Sequence, residues 1–132
     1  MATLLKRAPG FEKNPDYRIT FERSPRRVRV KFAGEYIADS TDAHLLFETR
    51  HLPVYYFPRK DVRFDLLVPT DHRTYCPYKG DCSYFSIPLG GARSVNAIWT
   101  YEQPFEAVAA IGGFLAFYPE RVDEISIEPR AT

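Results

Sequence analysis

Residues 74–85 read TYCPYKGDCSYF and crowd two thiols, one ammonium and three phenols into a single stretch. Several chemistries could use them. Cys76 and Cys82 are potential zinc ligands, but five residues separate them. Structural zinc sites use four ligands and gaps of about two to four residues. His44, His51 and His72 follow no ligand spacing either, so neither a metal nor any other cofactor is expected. As a redox pair, the two cysteines would have to face each other across a hairpin, with Lys79 favouring the thiolate. The C-x-x-C spacing of redox motifs is absent. As a nucleophile, Cys76 would need His51 or His72 as its base. As a recognition site, Lys79 would supply the cation of a cavity walled by aromatic side chains, which is the usual make-up of a small-molecule pocket. That last reading is preferred. It names Tyr56, Cys76, Tyr78, Lys79, Trp99 and Tyr101 as ligand-binding residues, with Cys76 and Lys79 the candidates for any catalysis.

Two further groupings compete with it. Asp61 and Asp65 would share a face if residues 59–67 were helical, and paired acids can hold magnesium for nucleotidyl transfer. No G-x-x-x-x-G-K-[ST] loop accompanies them, and a solvated helix face explains them more simply. Arg27, Arg29 and Lys31 alternate on one strand and could meet a phosphate backbone. The stacking aromatics of single-strand binders are missing there, so a solvated outer face is preferred.

The elements that must position these groups are short strands. The chain has 132 residues, 45% hydrophobic and 27% charged, with a formal net charge of +1, which suits one globular domain without a strong overall field. No strong nucleic-acid signal follows, and no apolar window suits a signal peptide or a membrane helix. A soluble, cytoplasmic protein without membrane contact is expected, with its oligomeric state open. Residues 1–16, with Pro9, Gly10 and Pro15, read as an N-terminal arm or loosely tied tail, and 17–132 as a single domain. Strands are expected over 17–22, 27–32 and 36–40, the last two as a hairpin through Ala33-Gly34. Residues 41–51 are ambiguous, since Thr41 or Asp42 could cap a short helix while Leu45 and Phe47 alternate, and the strand reading is preferred; 53–58 follows as a strand and 59–67 as helical turns. Residues 68–72 read as loop, 82–87 and 95–101 as strands, and 105–111 as a short helix. Residues 114–118 and 122–128 read as a closing hairpin over Pro119-Glu120. The fold class is mainly β, with one to three short helices.

The segments RVRVKFAGEYIADS, HLPVYYFPRKDVRFDLL, TYCPYKGDCSYF, NAIWTYEQP and FLAFYPERVDEI occur in that order. This series resembles the bacterial and fungal family called domain of unknown function 427, over roughly residues 26–128. The resemblance implies a β-tent-like arrangement, in which two antiparallel sheets lean together, and a ligand site by analogy on the concave side between them. Some β-tent relatives pin the apex with zinc held by four cysteines, whereas this chain has two. The family is also labelled nucleotidyltransferase-like. Cys82 stands where alanine is usual in it and Phe85 where tryptophan is usual, so a two-cysteine function would not be a family property. The combined expectation is a small-molecule or anion-binding β-domain with its pocket near the CPYKG turn and a small polar or anionic ligand. The alternative is a protein-interaction or structural domain without catalysis. A nucleotidyltransferase-like or thiol-redox enzyme ranks below both.

Overall fold

The computed structural model describes residues 6–129. It has one short helix, α1 (Pro9–Lys13), and ten strands: β1 (Ile19–Arg23), β2 (Val28–Phe32), β3 (Glu35–Ser40), β4 (His44–Glu48), β5 (Val54–Phe57), β6 (Val68–Cys76), β7 (Gly80–Leu89), β8 (Ala92–Thr100), β9 (Leu115–Phe117) and β10 (Glu124–Ile127). They form two antiparallel sheets. The larger runs β1-β4-β5-β9-β8-β7-β6, and the smaller runs β10-β2-β3. No helix among the described residues is long and apolar enough to cross a membrane.

Alternation along each strand decides what the two faces of the large sheet do. Phe57, Ile98, Leu115 and Phe117 point toward the small sheet and pack on Val28, Val30 and Ile37, all essentially buried. Their neighbours Tyr56, Trp99 and Ala116 point the opposite way and build a second apolar cluster with Leu46, Cys82, Tyr84 and Tyr101. Val108 and Ile111, from the 3-10 turns of Glu106–Ile111, also belong to this cluster. Both faces of the large sheet are therefore cores. The β2–β3 hairpin turns through Ala33 and Gly34, both at positive φ, where glycine adds no strain.

Several expectations change. Residues 68–72 are not loop but the start of β6, paired to β7. The strand lies at the sheet edge, where Pro69 is tolerated, and its exposure removes the alternation that marks a half-buried strand. The closing segments are not a hairpin. β9 lies between β5 and β8 in the large sheet, whereas β10 pairs with β2 in the small one. A 3-10 turn at Pro119–Arg121 carries the chain across. The helical reading of 59–67 resolves into two separate 3-10 turns, Arg59–Asp61 and Phe64–Leu66. The described part of the arm is docked rather than loose. Ala8 is buried, the Gly10 N–H donates to the Pro77 carbonyl at 2.9 Å, and the Glu106 N–H donates to the Lys6 carbonyl at 2.9 Å.

Candidate functional site

β4 carries His44, Leu46 and Glu48 on one face of the large sheet, because residues two apart share a face. That face is apolar, so Glu48 enters it as a charge in need of a partner. The partner is Lys79, in the turn between β6 and β7. Its Nζ donates to Glu48 Oε1 at 2.7 Å, with the lysine side chain 11% exposed and the glutamate 8%. The Tyr17 hydroxyl donates to the other carboxylate oxygen. Burial works to raise the Glu48 carboxyl, but the hydrogen bonds from Lys79 and Tyr17 overcome it and hold the group below the usual glutamate value. The Tyr17 hydroxyl is pushed well above the usual phenol value by burial and then by the carboxylate it serves.

The pair stands in the wall of a cavity of about 390 Å³. Leu46, Val54, Tyr56 and Trp99 form the apolar side of that cavity. Cys76, Tyr78 and His51 complete its rim. Trp99 Nε1–H donates to the Tyr56 hydroxyl at 3.0 Å, and the rings meet edge to face. Burial raises the Tyr56 phenol, which keeps it protonated and able to donate. Lys79 Nζ also lies 5.6 Å from the centre of the Tyr101 ring, a cation–π contact. At the mouth, Tyr17 stacks on Tyr78 with ring centres 3.7 Å apart, and Phe11 of α1 meets both rings edge-on. Asn14 Nδ2 donates to the Tyr78 hydroxyl at 3.1 Å.

The cavity thus brings together five of the six residues named from sequence, Tyr56, Cys76, Tyr78, Lys79 and Trp99, with Tyr101 beside the lysine. It lies on the face of the large sheet turned away from the small one, not between the two sheets. The space between the sheets is filled by the first core. Sequence reasoning missed Glu48 and Tyr17. A signal for Glu48 was present, since an acid two positions after Leu46 in a strand falls on the same apolar face. Nothing local marked Tyr17, whose partner is 31 residues away.

Other groupings do not assemble. The β6–β7 register sets Gly80 opposite Cys76 and Thr74 opposite Cys82, so the two cysteines do not face each other, and both are free thiols. Burial raises the Cys82 thiol, which opposes thiolate formation. Asp61 accepts from Ser40 Oγ at 2.6 Å and Asp65 from Arg63 at 2.6 Å, in separate turns. Among the described residues, no group of three or more His, Cys, Asp or Glu side chains could hold a metal. His44 stacks on Phe21, with ring centres 4.7 Å apart. On the basic strand, Arg27 pairs with Asp39 at 2.6 Å and Arg29 with Glu128 at 3.1 Å. A wider groove of about 620 Å³, on the other side of the turn, is lined by Lys6, Arg7, Tyr75, Asp81 and Glu102 among others. These five are exposed, and their charges are of both signs.

The order of sequence segments has its counterpart in a family model, described as Domain of unknown function (DUF427), that matches residues 20–128. The chain belongs to this family. No curated protein matches the chain. In this DUF427 protein the matched span begins after Tyr17. The stacked tyrosine that completes the Glu48 site therefore comes from outside the family match.

Proposed function

We propose that this DUF427 protein is a small-molecule-binding β-domain whose ligand occupies the cavity beside Lys79 and Glu48. One observation carries the reading: a lysine–glutamate pair is buried at the wall of an open cavity rather than in a packed core. A buried ion pair adds little stability compared with an apolar pair of the same shape, so its presence there is better explained by recognition. Lys79 directs polar groups of the ligand, Tyr56 and Trp99 with Leu46 and Val54 take its apolar part, and Tyr78 with Tyr17 closes the mouth. Cys76 lies at the rim as a thiol available for contact. No reaction is assigned.

The alternative, an interaction domain, would call for an apolar surface around Tyr55 or Phe114. Tyr55 packs on the first core and Phe114 on the second. Trp99 is the only tryptophan, so its fluorescence reports on this cavity. A fragment screen read by Trp99 emission and melting temperature tests the proposal. Compounds that shift both should lose their effect in Val54→Phe, which fills much of the cavity and leaves Trp99 the single tryptophan. Retained effects in that folded variant would place binding elsewhere.

A further inference from the structure

The unspent hydrogen-bonding capacity of the cavity narrows the class of ligand, on the premise that the cavity is a binding site. Lys79 has three N–H groups. One is given to Glu48, and the ammonium also faces the Tyr101 ring. Among the described residues the ammonium has no second hydrogen-bond acceptor, so a donor remains. The Tyr56 hydroxyl accepts from Trp99, and its own proton has no acceptor among the described residues, although the residue is 1% exposed. Two donors from different strands and turns thus line one cavity. A buried donor left without an acceptor is costly, so this wall is complementary to an acceptor atom.

The charge of that acceptor follows from Glu48. Its carboxylate sits 2.7 Å from the ammonium and cancels most of the attraction Lys79 would offer an anion. An anion entering here would lose its hydration against Leu46, Val54 and Trp99 with little Coulombic return. A cation fares no better, because the Lys79 ammonium 2.7 Å from Glu48 already neutralises the carboxylate and repels a second positive charge. An uncharged carbonyl oxygen loses far less hydration and can accept from both donors. The flat walls of Tyr56 and Trp99 suit a planar apolar body attached to it.

We infer that the ligand is an uncharged carbonyl compound with a planar apolar body, its oxygen held jointly by Lys79 and Tyr56, and that the site selects against carboxylates. The test uses three molecules of the same shape and different charge: benzamide, benzoate and benzamidinium. Each is titrated into the wild-type protein, with binding read from Trp99 emission and from amide resonances of residues lining the cavity. The expected result is that benzamide binds at least about tenfold more tightly than either ion, a difference of about 1.4 kcal/mol. Tyr56→Phe should then weaken benzamide several-fold. Benzoate binding as well as benzamide or better would overturn the inference while leaving the cavity a binding site. Preference for benzamidinium would do the same. Binding of none of the three, up to their solubility, would overturn the inference. If a broad fragment screen is also silent, the binding reading falls with it.

Discussion

Lys79 Nζ lies 2.7 Å from Glu48 Oε1 although the strands that present them are far apart in the sheet. Glu48 ends β4, and Lys79 immediately precedes β7, four ladder steps away in the order β4-β5-β9-β8-β7. Strands lie about 4.8 Å apart, so a flat sheet would separate these two by about 19 Å. The contact therefore requires a curled sheet whose concave face holds the second core and the cavity. The pair closes the curl as well as lining the cavity.

Removing either partner alone should be destabilising. Lys79→Met should cost about 3–5 kcal/mol, because it leaves a buried carboxylate without its counter-charge. A lysine that merely decorated the turn would cost within about ±0.5 kcal/mol. The double variant Lys79→Met/Glu48→Leu should recover most of the loss. Denaturant titrations of the four proteins give the coupling directly. Additive losses would show that the pair does not interact in solution.

Glu48 sets an acid limb. Its carboxyl is held below the usual value, so its contribution is complete above the unfolded pKa of about 4.3 and is lost as pH falls through the lower folded value. Stability should therefore drop as pH falls below about 4.3, and the drop should be shallower in Glu48→Gln. The other depressed carboxyls, such as Asp39 and Asp42, remain in both proteins, so the difference between the two curves isolates Glu48.

The arm should matter to the body. A Cβ at Gly10 would lie 2.6 Å from two Tyr78 ring atoms and 2.9 Å from the Pro77 carbonyl oxygen. Gly10→Ala should thus cost about 1–3 kcal/mol by overpacking. It should also free the arm, seen as faster proteolysis before Tyr17. Deleting residues 1–15 removes the two backbone hydrogen bonds from Gly10 and to Lys6, worth about 1 kcal/mol each. An unchanged melting temperature after that deletion would show that the docking is not formed in solution.

The hydrogen bond of the single tryptophan can be isolated. Trp99→Phe keeps a ring and loses the donor to Tyr56, which should cost about 0.5–1.5 kcal/mol from the bond, with a further loss from the smaller ring. Tyr56→Phe removes the acceptor instead and should shift Trp99 emission. Emission identical to that of the wild type would show that the indole N–H does not point at Tyr56.

How far the sequence reveals this molecule depends on the kind of residue. The alternation of Val28, Val30 and Phe32, and of Tyr56 against Phe57, is a local signal, and it places those side chains on the correct faces. The cavity residues of the CPYKG turn were legible because Pro77 and Gly80 mark a turn and Lys79 stands in it among aromatics. β6 was not legible, since an exposed edge strand has no apolar face to display. The pairing of β10 with β2, almost a hundred residues apart, is set by the fit of two cores rather than by any local pattern. Glu48 could be flagged as an acid on an apolar face, but its bond to Lys79 depends on the curl of a seven-stranded sheet.

The most direct measurement is the location of binding. Backbone amide spectra recorded with each hit from a fragment screen should show perturbations centred on Glu48, Tyr56, Cys76, Tyr78, Lys79 and Trp99. Lys79→Met/Glu48→Leu, once its fold is confirmed by the denaturant titrations above, should abolish them. Perturbations confined to the groove at Arg7, Tyr75 and Asp81, or unchanged in that double variant, would contradict a binding site built on the Lys79–Glu48 pair.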